Sequence, residues 1–173
     1  MERNRTGLTI LIAVLFIVYL TLLVWVILFK LQWSLNDIDR TRSVNLIPFH
    51  YAAAAGEQFQ VKEVRDNVLI FIPFGVLLSM LASKMKWPNK FLIILGASLA
   101  LETMQFVLAI GAADSTDLIT NSSGGVIGMG LYALLLSVVK DKQKIDRVIA
   151  VGAGILAVLF LGLMAVLLLA NGS

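Results

Sequence analysis

The chain has 173 residues, 59% of them hydrophobic and only 14% charged, too little polar surface for a water-soluble domain of this size. It carries no cysteine and one histidine, His50, which excludes a disulfide framework, a thiolate nucleophile and a cysteine- or histidine-rich metal centre. The net charge of +3 is scattered over short segments rather than gathered on one face; this fits membrane orientation, not nucleic-acid binding, and implies no cofactor.

Five apolar stretches predict an all-α, polytopic membrane bundle with transmembrane helices over about 7–29, 66–83, 91–110, 118–139 and 148–170, forming one domain over 1–173. A helix rises ~1.5 Å per residue, so ~20 residues cross a hydrocarbon core of ~30 Å. The runs are too long for strands and show no alternation.

The first helix follows Arg3 and Arg5 and is uncharged from Gly7 to Phe29. A basic start before an apolar run is also the layout of a cleaved signal peptide. This run is too long for a signal core, and no small-x-small pattern follows it. Trp25 and Trp33 fall near its far end as interfacial anchors would, so a retained signal anchor is expected.

A loop over 30–65 follows, expected outside the cytoplasm. Its centre, Asn45-Leu46-Ile47-Pro48-Phe49-His50-Tyr51, is apolar and aromatic. Such a segment belongs at the interface or dips into the bundle. Pro48 biases Ile47 toward an extended backbone.

The second helix is the shortest and needs Arg65, Asp66 and Asn67 at its start. Pro73 within it removes the hydrogen bond to the Leu69 carbonyl and favours a kink. The third carries Glu102, placed roughly 12 Å from its outer end by the rise per residue. Gln105 shares that face. Asp114 and Asp117 occupy the turn into the fourth helix, and Asn121 follows one turn after Asp117. Gly124, Gly125, Gly128 and Gly130 make the fourth helix small, and Gly96 and Ala100 do so on the third. The short turn joining the two makes them expected packing partners.

Orientation follows from lysine and arginine. Arg3, Arg5, Lys84, Lys86, Lys90, Lys140, Lys142, Lys144 and Arg147 fall on one side of a five-helix topology, and Lys30, Arg40, Arg42, Lys62 and Arg65 on the other. Nine against five puts the N-terminus in the cytoplasm and the C-terminus outside.

Polar groups within membrane helices mark function unless paired for structure. The candidate ligand-binding set is Arg65, Asn67, Glu102, Gln105, Asp114, Asp117 and Asn121, all expected near the outer leaflet. Structural roles compete with this. Asp114 and Asp117 could cap the fourth helix, Gln105 and Asn121 could bond between helices, and Arg65 could anchor at the interface. Glu102 fits such a role least, because a carboxyl at that depth is costly unless neutral, paired or facing a polar cavity. Pro48, Pro73, Gly75, Gly124 and Gly128 are the structural candidates.

Three ordered segments resemble the VanZ-like family: Asn45-Leu46-Ile47-Pro48-Phe49; Arg65-Asp66-Asn67 running into Phe71-Ile72-Pro73-Phe74-Gly75; and Glu102-Thr103-Met104-Gln105 followed by Asp114, Asp117, Asn121, Gly124, Gly125 and Gly128. One departure stands out. Many relatives carry an arginine shortly before the first aspartate of the third segment, where this chain reads Gly111-Ala112-Ala113; Arg65 is the nearby candidate for a positive charge.

The resemblance implies a multi-pass cell-membrane protein associated with lowered susceptibility to teicoplanin and related lipoglycopeptides in Gram-positive bacteria. Membrane lipids are its expected partners, together with a lipid-linked cell-wall precursor or a lipoglycopeptide held in an outer-leaflet polar pocket. The alternative is an intramembrane enzyme acting on a lipid or its headgroup, with Glu102 and Asp114 or Asp117 dividing acid and base roles. Five helices with no visible inverted repeat argue against a complete secondary transporter.

Overall fold

The computed structural model describes residues 2–29, 42–49 and 57–171. Five helices carry the chain: α1 (Glu2–Phe29), α2 (Glu57–Leu81), α3 (Trp87–Leu108), α4 (Ser115–Val139) and α5 (Lys142–Asn171). All five are long and apolar enough to cross a membrane. Each starts before its apolar run. The largest differences are α2, which begins at Glu57 rather than near 66, and α5, which begins at Lys142 rather than 148. Hydropathy reports only what lipid touches; a helix continues into polar turns as long as its backbone bonds continue.

The expected loop 30–65 is therefore shorter, since 57–65 are the first turns of α2. Within it lies a strand, β1 (Arg42–Asn45), paired in parallel with β2 (Gly111–Asp114) in the α3–α4 connection. Asn45 stands opposite Asp114 in the register. Four-residue strands are too short to show alternation, so periodicity cannot find them. His50, Tyr51, Lys30, Trp33 and Arg40 lie outside the described residues. Leu46, Ile47 and Phe49 are exposed, so these side chains turn away from the bundle rather than into it.

The bundle is organised around α2 and α4. Built on Gly75, a Cβ would fall 1.9 Å from the Gly125 carbonyl oxygen; on Gly128, 2.1 Å from that of Ile72. Only glycine lets these backbones approach so closely, and close approach is what drives association where lipid is as apolar as the side chains. The glycine face of α4 thus packs mainly on α2, not on α3 as the short turn suggested. Gly125 alone of that face meets α3, through Ile94, and Gly96 and Gly130 face open space. The turn makes α3 a neighbour of α4, but the glycines choose the tighter partner.

Two apolar clusters fill the bundle. Leu23, Phe71, Phe74, Ile94 and Met129 join α1 to α4; Ile12, Leu15, Leu77, Tyr132 and Ile145 tie in α5. Tyr19 donates from its hydroxyl to the Ile70 carbonyl, one residue past the carbonyl that Pro73 leaves without its helical donor. At the lysine-bearing end, buried Asp146 accepts from the Tyr132 hydroxyl at 2.7 Å and from the Lys142 ammonium. Lys142 also donates to the Met80 carbonyl at 3.3 Å, fastening the start of α5 to the end of α2.

Candidate functional site

The buried residues of α3 include Lys90, Ile94, Ser98, Leu101, Glu102 and Gln105, spaced three or four apart for the most part and so forming one stripe of the helix. Below Ser98 it holds Lys90 and Ile94; from Ser98 on it is polar apart from Leu101 as it approaches the end of the bundle that bears the β-ladder. The facing part of α4 is polar too, with Thr116, Thr120 and Asn121 buried above the glycines. From α2 come the neighbours Asp66 and Asn67 and, one turn earlier, Lys62 and Glu63. These surfaces enclose a cleft of ≈ 360 Å³, closed on the α1 side by Val26 and Ile27.

Five of the seven expected residues line this cleft: Asn67, Glu102, Gln105, Asp117 and Asn121. They are held by an ordered set of bonds. Asn67 Nδ2 donates to Asp117 Oδ1 at 2.7 Å, joining α2 to α4. Asn121 Nδ2 donates to Ser98 Oγ at 3.1 Å, joining α4 to α3. Gln105 Nε2 donates to the Ile27 carbonyl at 3.2 Å, joining α3 to α1. Glu102, 5% exposed, accepts the Asp114 backbone N–H on Oε2 at 3.0 Å.

Asp114 and Arg65 stand outside the cleft. Asp114 is the N-cap of α4: its Oδ1 accepts the Thr116 N–H at 2.7 Å, while Oδ2 accepts from Asn45 Nδ2 at 3.1 Å. Its backbone positions Glu102 and its side chain is committed to the cap and the ladder. Arg65 is exposed and bonded to its neighbour Asp66 at 2.8 Å. Asp66 does line the cleft, so Arg65 reaches it only through that carboxylate.

The Asn45-Leu46-Ile47-Pro48-Phe49 segment is a strap fastened to the start of α4 beside the site. Asn45 bonds Asp114, its Oδ1 accepts the Ile47 N–H at 3.2 Å, and the Phe49 N–H donates to Thr116 Oγ1 at 2.9 Å. Phe49 takes a left-handed backbone, φ 58°, at the turn that Pro48 begins. An uncommon conformation for a bulky residue persists only where its surroundings hold it, and Thr116 supplies the hold.

Four participants escaped sequence reasoning. Lys62 and Glu63 looked like loop, because nothing apolar marks the first turns of α2. Ser98 had a usable signal: it lies four residues before Glu102 on the same helical face. Thr116 gave none, since its role is to receive a loop from 67 residues away.

The cleft is rich in acceptors. Among the described residues, four carboxyl groups (Glu63, Asp66, Glu102 and Asp117) and one ammonium, that of Lys62, line it. Two amide oxygens lie buried beside it: Gln105 Oε1 and Asn121 Oδ1 belong to residues 4% and 1% exposed, and among the described residues neither has a hydrogen-bond partner. The orientation of Gln105 is fixed, because the Ile27 carbonyl can only accept and so must face the NH₂. Leaving buried acceptors unmade costs ~1–3 kcal/mol each. Among the described residues no group of His, Cys, Asp and Glu has the arrangement of a metal centre.

Comparison with known proteins gives a consistent answer. The sequence profile of the VanZ/LLP1 family matches residues 16–137. The chain is 43% identical over 145 residues to Protein VanZ of Enterococcus faecium, an alignment covering 83% of this chain and 86% of that protein. No solved structure matches. The match spans both the helices that form the cleft and the strap bonded to the start of α4 beside it. This membrane protein therefore belongs to the VanZ/LLP1 family.

Proposed function

We propose that the protein lowers susceptibility to teicoplanin-type lipoglycopeptides by holding a lipid-linked cell-wall component, or the drug itself, in the cleft between α2, α3 and α4. The N-terminus lies in the cytoplasm, so the cleft opens at the outer leaflet of the cell membrane, where both ligands are found. The charge distribution supports this side assignment, with nine basic residues at the opposite end. The exposed Leu46, Ile47 and Phe49 fit a strap resting in the headgroup layer. One observation carries the reading: Asn67, Glu102, Gln105, Asp117 and Asn121, polar side chains from three helices, converge on one open cleft.

The test uses a susceptible Gram-positive host expressing Glu102→Gln and Asn121→Leu variants, with membrane levels measured by immunoblot. Protection should fall to the level of the empty host at unchanged protein abundance. Teicoplanin susceptibility identical to that of the wild type in both variants would overturn the proposal.

A carboxylate-dependent enzyme is the second reading, favoured by the presence of Glu102 and Asp117 from different helices in one cleft. Asp114 is a poor partner for Glu102 in such chemistry, since both its oxygens are engaged. Incubating purified protein with a lipid extract discriminates the two: a new lipid product that disappears with Glu102→Gln supports the enzyme, and an unchanged extract supports binding.

A further inference from the structure

We infer that an apolar cavity between α1, α2 and α5 takes the hydrocarbon chain of a membrane-resident, lipid-linked component whose polar part the cleft holds. The inference rests on the proposed function and adds where the chain of its ligand lies. The cavity measures ≈ 460 Å³, and its walls include Tyr19 and Leu22 of α1, Pro73 and Leu77 of α2, and Ala153 and Ala157 of α5. Among the described residues lining it, Tyr19 alone has a polar side chain, and its hydroxyl is taken up by the Ile70 carbonyl.

The cavity continues the cleft. Tyr19, Leu22 and Val26 recur on α1 at intervals of three and four residues, as Ile70, Pro73 and Leu77 do on α2, so each set forms one face of its helix. Val26 and Ile70 belong to the cleft wall and the other four to the cavity wall. The two spaces therefore follow one another along a single α1–α2 seam, polar toward the β-ladder and apolar toward the middle of the bundle. The Tyr19–Ile70 bond marks their junction. From Val26 down to Leu15 the seam runs about 16 Å, half of a ~30 Å hydrocarbon core and so the depth of one leaflet. A polar space above an apolar one of that depth has the shape of an amphiphile.

The α5 wall supports the same occupant. Small residues in membrane helices ordinarily bring backbones into contact, as Gly75 and Gly128 do. On α5 they leave room instead: a Cβ on Gly154 would come no nearer than 4.0 Å to Leu15 Cδ2, and Ala153 and Ala157 border the cavity. An empty apolar space forfeits dispersion contacts, and water finds no set of polar partners there. A hydrocarbon chain supplies the contacts and needs no polar partner. It reaches the cavity from the bilayer, since all three walls are helices able to cross the membrane; this favours a resident lipid over a drug arriving from water.

Native mass spectrometry of the full-length protein released from phosphatidylcholine vesicles tests this, with an undecaprenyl-linked cell-wall disaccharide-pentapeptide, phosphatidylglycerol or teicoplanin added in separate arms. Ala153→Phe and Ala157→Phe fill the cavity, and two variants guard against one failing to fold. Val158→Phe, on a side chain 71% exposed, is the control. Each is checked for wild-type thermal unfolding. Retention of the undecaprenyl-linked probe should fall at least about fivefold in both cavity variants, hold in Val158→Phe and be lost in the cleft variant Asn121→Leu. Retention lost in Asn121→Leu but unchanged in the cavity variants would overturn the chain site while leaving the cleft a binding site. An equal fall for phosphatidylglycerol would mean an ordinary bilayer lipid only, and a fall confined to teicoplanin would assign the cavity to the drug; either result overturns the inference. Retention of every probe unaffected by Asn121→Leu, or absent from the wild type, would remove the binding role of the cleft and the proposed function with it.

Discussion

Replacing Gly75 by alanine tests whether the α2–α4 contact builds the site. In an unpacked helix this change would stabilise by up to ~1 kcal/mol, because alanine is the better helix former. Here the added Cβ would lie 1.9 Å from the Gly125 carbonyl oxygen, 2.8 Å from its carbon and 2.9 Å from the Met129 nitrogen. All three are backbone atoms, so no side chain can rotate aside. Contacts below 3.0 Å are essentially never seen, and the helices must part by about 1.1 Å to reach that limit. Overpacking of this kind costs ~1–3 kcal/mol; the rigid neighbours place Gly75→Ala at the upper end. The site would feel it as well. Parting α2 from α4 by that amount would stretch the Asn67–Asp117 bond from 2.7 Å to about 3.8 Å, past hydrogen-bond reach. Equilibrium unfolding in mixed detergent micelles, followed by helical circular dichroism, measures the first effect, with Gly130→Ala as control because nothing lies within 4 Å of a Cβ there. Gly75→Ala should lose roughly 2 kcal/mol and Gly130→Ala should hold or gain. Equal stability of the two variants would refute the argument.

Arg65→Ala should change stability by less than ~1 kcal/mol, since its ion pair is exposed, and should leave drug protection intact; protection lost with Arg65 would return it to the ligand set. Tyr132→Phe removes one of the two bonds holding buried Asp146 and should cost ~1 kcal/mol in the same unfolding assay, whereas no loss would mean that Lys142 alone suffices. Thr116→Val keeps the shape but removes the acceptor of the Phe49 N–H, so limited proteolysis should cut the strap faster than in wild type while sparing the helices; an unchanged pattern would mean that the ladder holds the strap by itself.

The spanning helices were legible because membrane burial writes itself as long apolar runs, and the polar stripe because glutamate, glutamine and asparagine are costly there. The convergence of Asn67, Glu102, Gln105, Asp117 and Asn121 follows from that cost. What remained hidden depends on distant partners. Nothing near Gly111 indicates that it begins a strand pairing with Arg42, and nothing local distinguishes Gly124, Gly125 and Gly128, which meet a neighbouring helix, from Gly96 and Gly130, which face open space. Arg65 was misleading in another way. It is adjacent in sequence to the cleft residues Asp66 and Asn67, but on a helix adjacent residues point about 100° apart, and this one points out.

The chain contains no cysteine, so a cysteine pair can be read without background. Asn67→Cys with Asp117→Cys, oxidised in native membranes, measures directly whether α2 and α4 meet across the cleft. The account predicts rapid formation of an intramolecular disulfide for this pair and none for Asn67→Cys with Ile119→Cys, whose side chain is exposed on another face of α4. Failure of the first pair to join, or equal joining of both, would contradict a shared polar cleft.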